Sequence, residues 1–393
     1  MIFASLITLT MLCGLPGEPL WMAEDATHVK VYYEAGRFGG WPANHGMWSW
    51  GNEILVGYSR GYYKDLGATR HHIDRTKPEE FWLARSLDGG MTWTREHPAE
   101  KGFLIPRGES LHGTETPGQT LPPIKDLEET MDFTHPDFVL AFRMESVHAG
   151  TSRFEYSTDR GKTWKGPYRL PNFGAKGTAA RTDYIVNGKR DAFIFITVSK
   201  RNGREGRPLC ARTTDGGVTW KRVSWIGPEP DGFAIMPSTV RISDTELLTT
   251  LRRREGTFRW ISAWRSLDNG KTWIQESDPV EYLGEGNPPM LNKLHNGRLC
   301  LTYGVRAYPY SIRARLSADN GKTWGPQIVL REDGTDRDIG YVRSIQRPDG
   351  KMVTTYYISD GRTGPERYIG ATIWDPNKVS RMTSGNPRRQ PGF

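Results

Sequence analysis

The sequence is poor in cysteine, because its 393 residues include only Cys13, Cys210 and Cys300, which lie far apart. Three scattered cysteines exclude a disulfide framework and a zinc site built on sulfur, so we expect no metal. The glycines fall in turn-like segments and form no phosphate-binding fingerprint. We therefore expect no cofactor.

Runs of one charge are also absent. The chain has 53 Lys and Arg against 45 Asp and Glu, a formal net charge of +8, and the two signs are interleaved along its length. Proteins that bind nucleic acid usually carry a clustered basic face, so we expect no nucleic-acid partner. Arginines gathered in one cavity would instead bind an anionic small substrate.

Long hydrophobic runs are missing apart from the first residues. Residues 1–20 (MIFASLITLTMLCGLPGEPL) begin with an apolar stretch too short to span a bilayer, which predicts a signal peptide and a secreted or periplasmic protein. No Lys or Arg precedes this stretch, so the alternative is a misassigned start codon and a cytoplasmic protein. No other segment approaches transmembrane length, and we expect no membrane span.

Glycine and proline, by contrast, are abundant. The chain has 44 Gly and 26 Pro, and only 36% of its residues are hydrophobic. This composition favours many short strands joined by polar turns, and it argues against disorder, a coiled coil and a helical bundle. The length is compatible with one closed all-β domain, which we expect to be a monomer.

One octapeptide pattern, Ser/Thr-x-Asp-x-Gly-x-Thr-Trp, occurs five times at intervals of 51 to 71 residues. Its copies are Ser86–Trp93, Ser157–Trp164, Thr213–Trp220, Ser266–Trp273 and Ser317–Trp324. This period fits a four-stranded propeller blade. Within each copy, Asp can accept hydrogen bonds from turn amides, Gly supplies a positive φ and Trp packs between sheets. The five aspartates are therefore predicted to be structural.

Each octapeptide follows an apolar segment that ends on a basic residue. These residues are Arg60, Arg143, Lys200, Arg253 and Arg306. A sixth apolar segment, at 352–359, precedes the strand-like YIGATIW. We therefore predict a six-bladed β-propeller over residues 21–380, closed by an N-terminal strand near 29–33. Residues 98–135 are predicted to form an insertion loop, and 381–393 a C-terminal tail.

Five such octapeptides, known as Asp boxes, resemble the six-bladed propellers of the sialidase (neuraminidase) superfamily. The resemblance covers about residues 30–375. It implies an exo-glycoside hydrolase that releases a terminal α-linked sialic acid or related acidic sugar. In that family, arginines hold the substrate carboxylate, a tyrosine with a glutamate partner is the nucleophile, and an aspartate is the acid/base. Tyr341, in GYVRSIQRPDG, resembles the nucleophile, and Asp74, in HHIDRTKPEE, resembles the acid/base.

The resemblance also suggests the substrate-binding arginines. Arg306 matches a clamp arginine, and Arg60 matches the arginine that follows the second strand of the first blade. The expected Phe-Arg-Ile-Pro signature is replaced by GRFGGWPAN, which leaves Arg37 as a loose substitute. Arg343 or Arg313 could complete the clamp, and no family motif decides between them.

The glutamate partner of Tyr341 departs from the family pattern. Proline replaces it in GEGNPP, so Glu285, two residues before the Asn, is the candidate. The retaining or inverting course of the reaction therefore stays open. The starts of the innermost strands are unusually polar and add His45, Arg181 and Asp183 as candidate substrate-binding residues.

Two other functions remain open at this point. The protein could act on another acidic glycan, such as a uronic-acid polymer, by hydrolysis or elimination. It could also be a glycan-binding propeller without turnover, since Asp boxes occur in binding proteins too. In each case the expected partner is an acidic glycan.

Overall fold

The computed structural model describes residues 18–98 and 123–382. Within these ranges, six sheets form the six blades of a β-propeller, which confirms the predicted fold class. A 3₁₀ turn at Pro42–Asn44 lies between the strands of blade one. Residues 1–17 of the predicted signal peptide, 99–122 of the predicted insertion and 383–393 of the predicted tail lie outside the described residues.

The first half of the chain contributes two leading strands and three blades. The leading strands are β1 (Trp21–Ala23) and β2 (Thr27–Tyr32). Blade one contains β3 (Arg37–Gly40), β4 (Met47–Trp50), β5 (Glu53–Tyr62), β6 (Glu80–Ser86) and β7 (Thr94–Glu96). Blade two contains β8 (Val139–Arg143), β9 (Arg153–Ser157) and β10 (Lys165–Arg169). Blade three contains β11 (Thr178–Ala179), β12 (Tyr184–Gly188), β13 (Asp191–Ser199), β14 (Glu205–Thr213) and β15 (Lys221–Trp225).

The second half of the chain contributes the other three blades. Blade four contains β16 (Phe233–Arg241), β17 (Leu247–Glu255), β18 (Phe258–Ser266) and β19 (Ile274–Gln275). Blade five contains β20 (Met290–Lys293), β21 (Leu299–Val305), β22 (Tyr310–Ser317) and β23 (Ile328–Gly334). Blade six contains β24 (Gly340–Gln346), β25 (Met352–Ile358) and β26 (Tyr368–Trp374), and β27 (Val379–Arg381) follows it.

The chain closes the ring with its N-terminal region. Strand β2 pairs antiparallel with β26 and becomes the outermost strand of blade six, which confirms the predicted closing strand. Strand β1 pairs with β23 in parallel and with β27 in antiparallel, so both ends of the described chain extend blade five. Sequence patterns did not predict this second attachment, because β1 and β27 have only three residues each.

The second strand of a blade is buried on both faces, because neighbouring blades cover it. Strands β21 (LCLTYGV) and β25 (MVTTYYI) are buried along their full length. This position explains why these segments read as nearly continuous apolar runs instead of alternating.

The Asp boxes form the predicted turns. In the last box, the hydroxyl of Ser317 receives the amide of Gly321 at 2.8 Å, and Asp319 accepts the hydroxyl of Thr323 at 2.6 Å. The hydrogen bonds that Asp319 accepts from the hydroxyl and amide of Thr323 and from the hydroxyl of Ser317 lower its pKa to about 2. Gly321 has a φ of +85°, and a methyl group there would lie 2.4 Å from Leu248 of blade four. The glycine at this position of the Asp box therefore allows the turn to pack closely against the preceding blade.

Candidate functional site

A cavity of about 970 Å³ opens at one end of the propeller. Its walls come from the β5–β6 connection and the β17–β18 hairpin of blade four. The loop before β20, the loop after β21 and the loop that leads into β24 complete them. Among the described residues that line it, eight are Lys or Arg and two, Asp74 and Glu285, are acidic. Such an excess of positive charge attracts anions and raises their local concentration.

Tyr341 lies behind the cavity lining, in contact with the lining residues Arg252, Arg306 and His71, and its backbone is constrained. It is the second residue of β24, its φ is +50°, and the residue is 8% exposed. Its amide donates to Oδ1 of Asn287 at 2.8 Å, and Nδ2 of Asn287 donates to the carbonyl of Ile339 at 2.9 Å. A left-handed conformation at a tyrosine costs roughly 1–3 kcal/mol and persists only where neighbours enforce it. Asn287 supplies that constraint.

Two arginines flank the Tyr341 side chain. Nη1 of Arg252 donates to the phenolic oxygen at 3.1 Å, and the Arg306 guanidinium lies 5.4 Å from the ring centre. Arg306 is itself fixed, since Nε donates to the carbonyl of Ile339 at 3.1 Å and Nη2 donates to Tyr357 at 2.7 Å. Arg306 was predicted for this position. Together the two guanidinium groups can hold one carboxylate beside a tyrosine hydroxyl.

Arg252 was missed in the sequence because its strand was read as ending on Arg253. Alternation along β17 places Arg252 and Arg254 on the cavity side. Arg253 instead lies over the ring of Trp260, at 5.1 Å. The three consecutive arginines at 252–254 were the available signal in the sequence. The alternation of side chains along a strand would have selected Arg252 and Arg254 as the pair on the cavity side.

A histidine and a buried aspartate form a second feature of the site. His71 lines the cavity, with 21% of its side chain exposed, and its Nδ1 lies 2.5 Å from Oδ1 of Asp338, which is fully buried. The Asp338 carboxylate also accepts the hydroxyl of Tyr357 at 2.5 Å and the amide of His72 at 3.0 Å. The rings of His71 and Tyr341 meet edge to face, with centres 6.3 Å apart.

The electrostatics of this pair fix its protonation. Burial would raise the pKa of Asp338, but the hydrogen bond from His71 and the charges of Arg367 and Arg306 outweigh it and hold the pKa well below its usual range. Burial lowers the pKa of His71, more than Asp338 raises it. At neutral pH the imidazole is therefore uncharged, with Nδ1 donating to Asp338 and Nε2 carrying a lone pair. Sequence reasoning did not find this pair, since its members are 267 residues apart.

The two predicted carboxylates reach the cavity without reaching Tyr341. Asp74 accepts the hydroxyl of Thr76 at 2.7 Å and its amide at 3.0 Å, and these bonds lower the pKa of the carboxyl. Glu285 is half exposed and pairs with Arg337 at 3.0 Å. Within the described ranges, Arg252 is the hydrogen-bond partner of the Tyr341 hydroxyl, so the expected Tyr341–Glu285 pair is replaced by a tyrosine–arginine pair.

Arg37 and Arg60 lie outside the cavity lining. Nε and Nη2 of Arg60 contact Glu34 at 3.1 and 2.8 Å, and Nη1 contacts Glu80 at 2.6 Å, so its guanidinium is committed to carboxylates of the fold. Arg37 lies on the ring of Tyr62, at 3.6 Å. Because of these contacts, neither guanidinium joins Arg252 and Arg306 beside Tyr341.

Arg343 and Arg181 meet deeper, at the propeller axis. Arg343, from blade six, donates to the carbonyls of Ala43 in blade one and Thr182, which precedes β12 of blade three. Arg181 pairs with Glu205 at 2.6 Å. Contacts between such distant blades are made where all blades converge, below the cavity.

Asp183 and His45 also lie in this axial region, and Arg313 does not. Asp183 accepts the hydroxyl of Thr239 at 3.0 Å, and burial raises its pKa to about 7. His45 lies 2.9 Å from the hydroxyl of Ser59. Arg313, on β22, donates to Ser311 at 2.9 Å and lies outside the cavity lining. The structure thus brings Arg306, Asp74 and Glu285 to the cavity lining and Tyr341 against Arg252 and Arg306. The remaining candidates lie in structural contacts, and they are Arg37, Arg60, Arg181, Arg313, Arg343, Asp183 and His45.

Metal and membrane features were searched in the same part of the chain. Residues 18–98 and 123–382 contain no group of three or more His, Cys, Asp or Glu side chains placed to hold a metal ion. Cys210 and Cys300 are buried there as free thiols. The described helices include none with the length and apolar character to cross a bilayer.

Solved structures with this architecture include proteins of different kinds. A Dyadobacter fermentans protein of unknown function aligns with a TM-score of 0.66 and 20% identity, over 90% of this chain and 98% of that one. The NanB sialidase of Streptococcus pneumoniae aligns with a TM-score of 0.58 and 12% identity, over 89% and 71%. An α-L-arabinanase of Penicillium chrysogenum aligns with a TM-score of 0.56 and 12% identity, over 92% and 100%. At these identities the likeness shows a shared fold.

Sequence comparisons give the family. A search of curated proteins finds no significant match. The model of the BNR repeat-like domain matches residues 134–354, which is more than half of the chain and includes four of the five Asp boxes. The chain belongs to the BNR repeat-like domain family.

Proposed function

We propose that this protein is a sialidase-like exo-glycoside hydrolase that releases a terminal α-linked sialic acid or a related acidic sugar. The observation that supports this most directly is the convergence of Arg252 and Arg306 on Tyr341 at the wall of a basic cavity. A carboxylate bound between the two guanidinium groups places the attached anomeric carbon next to a phenolic oxygen. The likeness in fold to sialidases is consistent with this proposal.

The chemistry assigns covalent catalysis to Tyr341 and proton transfer to His71. The phenolic oxygen forms a bond to the anomeric carbon as the glycosidic C–O bond breaks. His71 takes the phenolic proton and gives it to the leaving oxygen. Water then attacks the anomeric carbon, the bond to Tyr341 breaks, and the proton released by water returns to the phenolate through His71. Arg252 stabilises the negative charge that the phenolic oxygen carries in this cycle.

His71 replaces Asp74 as the proton carrier in this scheme. Thr76 lowers the pKa of Asp74, so this carboxyl is ionised at neutral pH and holds no proton to donate. The imidazole of His71 is neutral and can accept one. Asp74 and Lys64, whose Nζ lies 3.8 Å from the carboxylate, then line the entrance to the site.

One observation favours a second candidate, elimination from a uronic-acid glycan. Tyr341 has an arginine instead of a carboxylate partner, and His71 stands across from it as a neutral base. In an elimination, His71 removes the proton next to the carboxylate, a carbon–carbon double bond forms, and the C–O bond to the leaving sugar breaks. The leaving oxygen takes a proton from Tyr341, and His71 returns one to the phenolate.

A proton NMR time course with sialyllactose tests the first proposal. Early appearance of the α-anomer of free sialic acid supports retention through Tyr341, and early β-anomer moves the attack to water. With oligogalacturonides, an ultraviolet-absorbing unsaturated product indicates the elimination.

Tyr341→Phe should abolish turnover and spare binding, while Arg253→Gln, on the other face of the same hairpin as Arg252, should leave both intact. Binding without any release would support a non-catalytic glycan-binding propeller and contradict both reactions.

A further inference from the structure

The cavity holds more positive charge than one carboxylate requires. Arg252 and Arg306 can bind a carboxylate next to Tyr341, and Arg254 and Arg259 line the same cavity farther along the β17–β18 hairpin. Residues two apart on a strand share a face and are separated by about 7 Å. The guanidinium of Arg254 therefore extends the row begun by Arg252 by about that distance.

Arg254 and Arg259 are direct cross-strand neighbours. Like charges in this position destabilise a hairpin. Burial and the neighbouring charges of Arg254 and Arg252 lower the pKa of Arg259. Gly286 lies close to two of these arginines, and its lack of a side chain leaves room for them. A methyl group there would lie 3.3 Å from Nε of Arg252 and 3.4 Å from Cβ of Arg259. The fold thus retains an unfavourable cluster of three cations.

The cluster lacks acidic partners in the described part of the chain. Arg259 donates to the carbonyls of Gly256 and Phe258 at 2.8 and 2.9 Å, and Arg254 donates to Gly256 at 3.4 Å. No carboxylate of the described residues lies within ion-pair distance of either guanidinium. Of the two acids that line the cavity, Glu285 pairs with Arg337 at 3.0 Å and attracts Arg259 only from beyond ion-pair distance, and Asp74 accepts the hydroxyl of Thr76.

Arg265 lies on the same hairpin, farther from its turn, and shows how the fold pairs an arginine that does not face the cavity. Its guanidinium is paired with both Glu246 and Glu276 and is nearly buried. Arg253, on the opposite face of β17, is attracted by the carboxylates of Asp278 and Glu255. The fold therefore neutralises Arg265 within its packing, whereas Arg254 and Arg259, which face the cavity, have no ion-pair partner among the described residues. A bound anion would relieve the repulsion.

We infer that Arg254 and Arg259 form a second anion subsite, which takes the carboxylate of a second acidic sugar next to the one held by Arg252 and Arg306. The ring of Phe233 lies beside one arginine of each subsite, 5.7 Å from the Arg252 guanidinium and 6.0 Å from that of Arg254. The substrate is then a glycan with acidic groups on consecutive sugars. This inference rests on the proposed function for the position of the first carboxylate.

Calorimetric binding of two ligands that differ by one acidic sugar tests the subsite. Sialyllactose carries one carboxylate and disialyllactose two, and Tyr341→Phe protein prevents turnover during the measurement. Work at about 0.15 M salt, where the screening length is about 8 Å, limits effects of charges that do not touch the ligand. We expect disialyllactose to bind at least about tenfold more tightly than sialyllactose.

Single substitutions on the hairpin provide matched controls. Arg254→Gln, Arg259→Gln and Arg253→Gln each remove one positive charge from the same two strands. The first two should remove the advantage of disialyllactose and leave sialyllactose affinity nearly unchanged, and Arg253→Gln should retain the advantage. Equal effects of all three substitutions, or equal affinity of the two ligands, would overturn the subsite.

The outcomes also separate this inference from the proposed function. Tight binding of disialyllactose without turnover by the wild-type protein would overturn the hydrolase and support the subsite. Turnover of sialyllactose without any preference for the second acidic sugar would do the reverse. Because Arg254 and Arg259 bond only to their own hairpin and repel each other, Arg254→Gln and Arg259→Gln should unfold at or slightly above the wild-type temperature, which circular dichroism checks.

Discussion

Nη1 of Arg252 donates a 3.1 Å hydrogen bond to the phenolic oxygen of Tyr341. The two residues come from blades four and six and are 89 positions apart in the chain. A guanidinium stays charged at any physiological pH and stabilises negative charge on an oxygen that it contacts. In the proposed reaction, the pair therefore combines substrate binding with activation of the tyrosine.

Replacing Arg252 by glutamine should lower kcat/KM by about 10²–10³, because the variant loses a charged contact to both the carboxylate and the phenolic oxygen. Steady-state kinetics on the substrate identified by NMR measure this loss. Arg253→Gln removes the same charge one residue away and should leave kcat and KM near their wild-type values. A wild-type kcat in the Arg252 variant would contradict the role of the pair.

The charge state of His71 predicts the acid limb of the pH profile. Burial lowers its pKa below the ordinary 6.5, so the base form that catalysis needs persists below that pH. The acid limb of kcat/KM should therefore lie below pH 6.5. The main charges around the ring are Asp338, which raises its pKa, and Arg306 and Arg252, which lower it.

Asp338→Asn should then move the acid limb to still lower pH, since the substitution removes the negative charge that opposes the other effects. The rate on the plateau should fall as well, because the imidazole loses its orienting acceptor. His71→Gln should remove most of kcat, and His72→Gln, in the same loop and outside the cavity lining, serves as the control. An unchanged pH profile in Asp338→Asn would exclude His71 as the titrating base.

The fold was predictable because its signal is local and repeated. Each Asp box encodes a turn in eight residues, and five copies set the blade period without any long-range information. The closing strand β2 was predictable too, since a ring removes exposed edges. The short strands β1 and β27 carry no comparable pattern.

The site was predictable only where a strand end determined it. Arg306 follows β21, and the repeat alone places that strand end at the mouth of the propeller. Arg60 occupies a similar place in its blade, but Glu34 and Glu80 bind its guanidinium. Partners brought together by the fold, such as His71 and Asp338, leave no trace in local sequence.

Asp183 should make stability depend on pH in an unusual direction. Burial raises its pKa from 3.8 to about 7 in the folded protein. Its contribution to stability is fully present below the unfolded pKa near 3.8 and is lost as pH rises through about 7. Asp183→Asn should therefore raise the unfolding temperature at pH 8 and have a smaller effect at pH 5, with a gain of up to roughly 4 kcal/mol at the higher pH.

Asp191 supplies the opposite control, because its hydrogen bonds from Arg212 lower the pKa of its carboxyl. That contribution is present above the unfolded pKa and is lost as the pH falls. Asp191→Asn should consequently destabilise the protein by a similar amount at pH 8 and at pH 5, and matter less only below the unfolded pKa near 3.8. Thermal unfolding of both variants across pH 5 to 8 gives the comparison, with a pH-dependent gain expected for Asp183→Asn and a nearly constant loss for Asp191→Asn. Parallel curves for the two would show that burial does not raise the pKa of Asp183.

Asn287 should matter more for catalysis than its stability contribution suggests. Its side chain accepts the amide of Tyr341 and donates to the carbonyl of Ile339, so Asn287→Ala leaves the buried Tyr341 amide unpaired and leaves Arg306 as the remaining donor to Ile339. An unpaired buried group costs about 1–3 kcal/mol. The freed backbone of Tyr341 can also leave its left-handed conformation, which moves the phenolic oxygen away from Arg252 and lowers kcat.

Asn292 separates these two effects. It also donates to β24, at the carbonyl of Ser344 and 3.0 Å away, but it lies beyond the bulge that carries Tyr341. Asn292→Ala should cost stability and keep the wild-type kcat, whereas Asn287→Ala should lose kcat at a temperature where both variants remain folded. Equal kcat values in the two variants would mean that the backbone of Tyr341 holds its conformation without the Asn287 amide, and that its strain is supported by the surrounding core.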